Sequence, residues 1–341
     1  MKLPARDDLS SSSPKLNPVG QTLQNRICEV SGLSGRVLSL DSQMTPPKGY
    51  YFLHDDRSGL PFFIKILESK DVESQVLADS YASYLKSNGL RVNSIVDGFP
   101  KHFDCTHRLV VYQWIEGSFL NVDQNTMEIL GRRMGQMHAA FSQYDFDSVK
   151  NKSAEKLLAL ETFSKELMQK RFYCGPYAER VERLLQSMPD AFSNFDEPCQ
   201  IVHGDLNVGN VLWTGDDVVF LDFEDTSSSW LPRRIEVAFA LERLILINEA
   251  NDESALKVAR SFLRAYVKAA GSSPFQEEGE LISSLYWLSL RSLVMLTQYE
   301  LEGFPWPESE WQKFGVLLDH IDRRKVMMSQ LESEFISCEV I

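Results

Sequence analysis

The chain has 341 residues, 43% of them hydrophobic, 11% aromatic and 24% charged. That composition supports an ordinary packed core in one large or two modest domains and excludes disorder of the whole chain. The net charge of −13, from 35 basic and 48 acidic residues, excludes the usual profile of a nucleic-acid-coating protein, which is basic. It suits a cationic small substrate or simple solubility. No apolar run approaches the ~20 residues of a membrane helix. The N-terminal MKLPARDDLSSSSPKLNPVG has no apolar stretch of the signal-peptide kind. Five cysteines, at 28, 105, 174, 199 and 338, form no CxxC pair. They read as a reducing, cytoplasmic setting without a zinc site.

Residues 1–24 are rich in Ser, Pro and Asp and read as a flexible tail. GRVLSL (35–40), YYFLHDD (50–56) and PFFIKIL (61–67) read as strands, the last two joined by the turn Arg57-Ser58-Gly59. A helix is predicted from Asp71 to Asn88, with Val72, Leu77, Tyr81, Tyr84 and Leu85 as its apolar stripe and Gly89 as its stop. IVDGFP (95–100) and RLVVYQWI (108–115) supply further strands. After Glu116-Gly117 helices dominate, over 123–143, 152–170, 176–188, 232–250, 253–270, 277–300 and 308–333. A β island from Cys199 to Asp225, turning at Gly215-Asp216, interrupts them. The pattern predicts an α+β chain, with a small antiparallel β-rich lobe over 25–115 and a larger helical lobe over 116–333.

The stretch IVHGDLNVGNVLWTGDDVVFLDFEDT (201–226) concentrates chemistry. Asp205 follows His203-Gly204, Asn210 stands five residues later, and Asp222 ends the apolar strand VVFL. A hairpin can gather these three oxygen-bearing side chains. Carboxylate and amide oxygens are hard ligands suited to Mg²⁺, which takes one or two carboxylates plus phosphate oxygens. A remaining carboxylate can serve as base toward a hydroxyl.

These residues resemble the catalytic segment of the aminoglycoside phosphotransferase and choline kinase family, whose fold is bilobal and protein-kinase-like. The family's His-Gly-Asp-Leu-x-x-x-Asn is matched by His203 to Asn210, and its Asp-Phe/Trp-Glu/Asp by Asp222-Phe223-Glu224-Asp225. Five fixed positions in a chain of this length arise by chance on the order of once in ten thousand, so coincidence is set aside. The resemblance implies ATP and Mg²⁺ as cofactors and a hydroxyl acceptor on a small molecule such as an amino alcohol, aminoglycoside or sugar. It implies Asp205 as base, Asn210 and Asp222 as metal holders, and Lys65 on the strand PFFIKIL as the grip on the α- and β-phosphates. Glu73, at the start of the next helix, is the partner chosen for Lys65, with Gln75 and Glu68 as alternatives. Backbone groups from Gln113 to Ile115 fit the adenine-contacting hinge. Glu224 and Asp225 stand where a second Mg²⁺ or a substrate ammonium would be met, or where a strand simply ends in solvent. His138 and His203 read as packed, bracing residues.

The sequence departs from the family at three points. DSQMTPPKG (41–49) replaces a glycine-rich loop, leaving Ser42, Thr45 and backbone amides up to Gly49 for phosphate. Glu236 stands where the family has an Asp that braces the catalytic loop. The helix glutamate that partners Lys65 is not fixed by the motif. Trp306, in GFPWPESEW (303–311), is a candidate for the acceptor wall, although aromatics at helical spacing are more often core. A Ser/Thr protein kinase of the same fold, acting on a partner or on Ser10–Ser13, and an ATP-binding pseudokinase scaffold are the rival readings. No nucleic acid or membrane partner is expected, and the oligomeric state is left open.

Overall fold

The structure, a computed structural model, describes residues 16–40, 44–144, 147–170, 175–193, 195, 197–247 and 251–336. Ser42 and Ser10–Ser13 lie outside them. The chain divides into two compact units: Met1–Ser118 with Thr214–Glu224, and Phe119–Trp213 with Asp225–Ile341. The first break falls between Ser118 and Phe119; the return of Thr214–Glu224 to the first unit is not foreshadowed by composition.

In chain order the elements are β1 (Asn17–Pro18), α1 (Gln21–Ser31), β2 (Val37–Ser39), β3 (Gly49–His54), β4 (Pro61–Glu68), α2 (Val72–Ser87), β5 (Lys101–His102), β6 (His107–Gln113) and β7 (Ser118–Phe119). There follow α3 (Gln124–Phe141), α4 (Asp147–Lys170), α5 (Ala178–Ser187), β8 (Gln200–Ile201), β9 (Val211–Trp213), β10 (Val218–Phe220), β11 (Trp230–Leu231) and α6 (Arg233–Ala240). The last three are α7 (Asp252–Ala270), α8 (Glu280–Leu301) and α9 (Glu308–Ile336).

The first unit is built on an antiparallel sheet of order β1-β2-β3-β4-β6-β5. Phe62, Ile64 and Ile66 of β4 pack with Tyr51, Leu53, Leu109, Val111 and Ile27 of α1. Phe63 and Leu67 point the other way, with Val110, Tyr112 and Val72. Both faces are covered, which explains why PFFIKIL is apolar almost without alternation.

Two expectations are corrected here. Residues 17–24 are not all tail: Asn17 and Pro18 pair with Ser39 and Leu38, and α1 begins at Gln21. Leu23, Ile27 and Val30 give α1 one apolar face, but its N-cap is Gly20, with no side-chain cap to announce the helix. IVDGFP is not a strand. Ile95 forms a single bridge to Tyr112 and the Val96 N–H reaches the Val111 carbonyl at 2.8 Å. Gly98, at φ 85°, then turns the chain away.

The segment Thr214–Glu224 enters the first unit through a tight turn, Thr214 N–H to Asp217 carbonyl at 3.0 Å. Phe220 exchanges backbone bonds with Arg91 and Asn93, each 3.2 Å. The Arg91 guanidinium holds Asp216 at 3.1 Å and Asp217 at 3.5 Å.

In the second unit the helices fall close to their expected spans. The exception is 232–250, where α6 gives way to a π-helical turn over Leu241–Leu246. Helix α3 lies directly on α7: a Cβ on Gly131 would stand 2.1 Å from the Phe262 carbonyl oxygen, and one on Gly135 2.6 Å from that of Tyr266. The Glu332 carboxylate on α9 accepts the Gly279 and Leu281 N–H groups, both at 2.6 Å, and so closes the start of α8. Among the described residues no helix is long and apolar enough to cross a membrane.

Candidate active site

His203 to Asn210 sit in the second unit, in the chain between β8 and β11, which pair antiparallel through Ile201–Trp230 and Gln200–Leu231. The Thr226 hydroxyl donates to the His203 carbonyl at 2.9 Å, and the Val202 N–H to the Ser229 carbonyl at 3.1 Å. Gly204 sits at φ 87°, and a Cβ there would meet Ser229 Oγ at 2.3 Å. Only glycine fits between the two ends of the loop.

Glu236 completes the brace. Its carboxylate accepts the N–H groups of His203 (3.1 Å) and Gly204 (2.6 Å) and contacts His138 Nε2 at 2.8 Å. His138 Nδ1 in turn meets the Tyr266 hydroxyl at 2.7 Å. Both histidines are fully buried, and both brace rather than face solvent. Burial alone pushes the Glu236 carboxyl up; His138, His203 and the Gly204 N–H outweigh it and hold the group below the ordinary value of 4.5. The extra methylene of Glu relative to Asp is accommodated without losing the bond to the loop backbone.

Asp205 is half-buried. Burial raises its pKa, opposed by the Asn207 side chain and by His203. Asn210 is buried, and its amide nitrogen donates to the Asp205 carbonyl at 2.8 Å and to Asp205 Oδ2 at 3.1 Å. The Asn207 side chain caps the short turn 208–210 through the Gly209 N–H at 2.7 Å. Asn210 Oδ1 is buried and has no hydrogen-bond partner.

Two cations stand nearby, of which Lys156 is not singled out by the sequence pattern. Lys156 of α4 donates to Ser228 Oγ at 2.5 Å; burial lowers its pKa, and the exposed Asp225 opposes that. Arg291 of α8 lies 5.8 Å over the Trp287 ring, and burial lowers its pKa while Asp225 and Asp205 support its charge. Asp225 itself follows α4 and the catalytic loop into the second unit, whereas Glu224 belongs to the first.

In the first unit Lys65 occupies the centre of the sheet, paired across to Tyr50 and Val110. Its ammonium donates to Gln75 Oε1 at 2.7 Å and forms an ion pair with Glu224. Burial lowers the Lys65 pKa; the carboxylates of Glu224 and Asp222 more than restore it, so the net shift is upward. Glu73, the partner chosen from sequence, is exposed. Two residues along a helix turn the side chain by about 200°, so Glu73 and Gln75 cannot share a face. The buried face of α2 runs through Gln75, Ala78, Asp79, Tyr81, Ala82 and Leu85, not through the stripe read from apolar residues alone. Glu68 is taken by Lys48 at 2.8 Å and Lys70 at 2.7 Å.

Asp222 is half-buried and adopts φ 61°, the one non-glycine residue with positive φ among those described. Left-handed backbone in an Asp costs energy and is found disproportionately at functional sites. At the end of β6, the Trp114 N–H donates to the Pro61 carbonyl at 3.1 Å. The alternation of a strand therefore turns the peptide groups of Gln113 and Ile115 away from β4. Thr45 is exposed, and Trp306 packs edge-on to Tyr299 at 6.0 Å beside the exposed Phe304. Trp287 and Trp311 are core.

The sequence profile of the phosphotransferase enzyme family matches residues 49–270, more than half of the chain. The chain belongs to that family, and so to the enzymes that pass a phosphoryl group from ATP to a hydroxyl acceptor. Among solved structures, an amicoumacin kinase in complex with AMP-PNP and Ca²⁺ is 16% identical, with a TM-score of 0.61 over 89% of this chain and 93% of that one. A spectinomycin phosphotransferase in complex with ADP and spectinomycin is 11% identical, with a TM-score of 0.58 over 92% of this chain and 100% of that one. An aminoglycoside phosphotransferase from Alicyclobacillus acidocaldarius is 13% identical, at 0.53 over 95% and 98%. At such identities the likeness is one of fold, and the fold is the mixed α+β, kinase-like one expected. No curated protein sequence matches the chain.

Proposed function

We propose that this protein phosphorylates a hydroxyl of a small polar molecule using Mg²⁺ and ATP, with Asp205 as the base. The observation that carries this reading is the Asp205–Asn210 pair. The amide nitrogen of Asn210 is spent on Asp205, which turns Oδ1, a buried carbonyl oxygen with no partner, into an available hard ligand. Asn210 Oδ1 and the Asp222 carboxylate are the donors this chain offers to the ion. Among the described residues no three His, Cys, Asp or Glu side chains gather to hold a metal, and Mg²⁺ ordinarily takes few protein ligands beside phosphate oxygens.

When bound, Mg²⁺·ATP supplies the phosphoryl group and the divalent charge that neutralises it. The protein's own part is positioning. Lys65 grips the α- and β-phosphates, and the peptide groups of Gln113 and Ile115 meet the adenine edge. Asp205 orients the acceptor hydroxyl and takes its proton; burial brings the carboxylate nearer the basicity such a step rewards. Glu224 is assigned to Lys65 and not to a second metal, because that is where its carboxylate is engaged. Asp225, with Lys156 and Arg291 around it, gives the surroundings of Asp205 charges of both signs. The acidity of the chain as a whole therefore does not select a cationic acceptor.

The structural relatives' antibiotics make amino-sugar and amino-alcohol compounds the first acceptors to try, with neutral sugars beside them. The test is Asp222→Ala. Calorimetric titration with ATP should lose its Mg²⁺ dependence, and turnover across the acceptor panel should vanish. Unchanged Mg²⁺-dependent binding would break the metal assignment. Tight Mg²⁺·ATP binding by the wild type with no turnover on any acceptor would favour the scaffold.

A further inference from the structure

Asp79 lies one turn beyond Gln75 on the buried face of α2, and both are 8% exposed. Nothing in the phosphotransfer scheme above uses it. Its carboxylate accepts the Tyr112 hydroxyl at 3.0 Å (Oδ1) and 3.3 Å (Oδ2), and the Gln75 amide nitrogen at 3.5 Å. The other end of that amide, Gln75 Oε1, accepts from the Lys65 ammonium at 2.7 Å. The amide has one orientation here. Turned over, its NH₂ would face an ammonium and its carbonyl a carboxylate. Gln75 thus places a carbonyl dipole against Lys65 with a full negative charge behind it, and hydrogen bonds so chained polarise one another.

We propose that Asp79 is a positioning residue for Lys65, acting through Gln75 and anchored by Tyr112 to the strand that ends at Gln113. This rests on Lys65 being the phosphate grip. A carboxylate one turn further along the helix, with a glutamine in between, does the work of a directly paired glutamate. Lys65 is free to leave Glu224 for a phosphate while the Gln75 carbonyl keeps its ammonium in place.

The groups facing Asp79 are Tyr112 from β6, Lys65 from β4, Gln75 on α2 and, at longer range, Glu224. Burial pushes its carboxyl up to about 6, against the pull of Tyr112, Lys65 and Gln75. Below that pH the charge behind Gln75 disappears, and the hold on Lys65 should weaken with it.

The experiment titrates the full-length protein with Mg²⁺·AMP-PNP by calorimetry from about pH 5 to pH 8, with unfolding temperatures measured alongside. Asp79→Asn should raise Kd about tenfold at the alkaline end, the value of one charge-assisted hydrogen bond. The ratio to wild type should fall toward one at the acid end, where the wild-type carboxyl is itself protonated. Protonation of the nucleotide is common to both proteins and cancels. Gln75→Glu combined with Asp79→Asn puts a carboxylate directly on Lys65 and should recover most of the loss. Tyr112→Phe removes a donor that lowers the Asp79 pKa, so affinity should be lost at a higher pH than in wild type.

A pH-independent ratio, or no recovery in the double variant, would reduce the network to a structural tie between α2 and β6. Weakened binding in Lys65→Met with none in Asp79→Asn would overturn this inference and leave the phosphate grip standing. No binding by wild type would overturn both.

Discussion

Each unit of the molecule buries a carboxylate, and the two behave in opposite ways. Glu236 in the second unit is 3% exposed and Asp79 in the first is 8% exposed, so burial pushes both toward the neutral form. Glu236 meets two backbone N–H groups and an imidazole and ends below its ordinary value. Asp79 meets one phenol and one long amide contact and stays up at about 6. The number and quality of donors, more than depth, decides whether a buried acid is a fixed brace or a group that titrates near neutrality. The backbone of His203 and Gly204 is held by the first kind, and the second stands behind Gln75, which accepts from Lys65.

Removal of the brace should be felt most. Glu236→Ala leaves two buried backbone N–H groups and His138 without their acceptor, and should cost about 3–5 kcal/mol in urea unfolding. In wild type the contribution of Glu236 is present at neutral pH and is lost as pH falls through its folded value, below 4.5. A variant of wild-type stability would show that the loop is held otherwise.

Glu242, buried in the π-helical turn with neither carboxylate oxygen hydrogen-bonded, is the second unit's counterpart to Asp79. Burial pushes it up to about 7, with Arg243 opposing. The folded chain then holds a proton that the unfolded chain releases above 4.5, so stability is full below 4.5 and falls as pH rises through about 7. The loss is on the order of 3 kcal/mol. Glu242→Gln should flatten that slope, read from unfolding free energies at several pH values. An unchanged slope would place the titration elsewhere.

Two smaller effects sharpen the picture. Gly131→Ala drives a methyl toward the Phe262 carbonyl, 2.1 Å away before relaxation. It should cost about 1–3 kcal/mol, seen as a lower Tm without a change in nucleotide affinity. Arg291→Gln removes a positive charge that favours the carboxylate form of Asp205. The acid limb of the kcat/KM profile should move to higher pH by under about one unit, and a shift to lower pH would contradict the electrostatic arrangement described.

Much of the architecture is legible in the sequence because the helical lobe carries long periodic segments and the site carries a motif with fixed spacing. The failures are local. Helix α1 is hard to read in the sequence because it starts at a glycine without a capping side chain. IVDGFP reads as a strand because apolar residues flank a turn. Charge alone favours Glu73 over Gln75, whereas helical phase decides which of them faces the sheet. Asp79 was invisible for the same reason: a search for apolar stripes passes over a buried acid that is part of the stripe. The positive φ of Asp222 and the open oxygen of Asn210 are facts of backbone and packing that no residue pattern states.

In the proposed division of labour Asp205 serves the acceptor hydroxyl and Lys65 the nucleotide. The direct test pairs two variants, Asp205→Asn and Lys65→Met, measuring Mg²⁺·ATP Kd and single-turnover transfer to whichever alcohol of the panel wild type phosphorylates. Asp205→Asn should keep its nucleotide affinity and lose about 10²–10⁴-fold in rate, the usual cost of a general base. Lys65→Met should lose both affinity and rate. Wild-type turnover in Asp205→Asn, or nucleotide binding lost in step with rate in that variant, would contradict the division of labour.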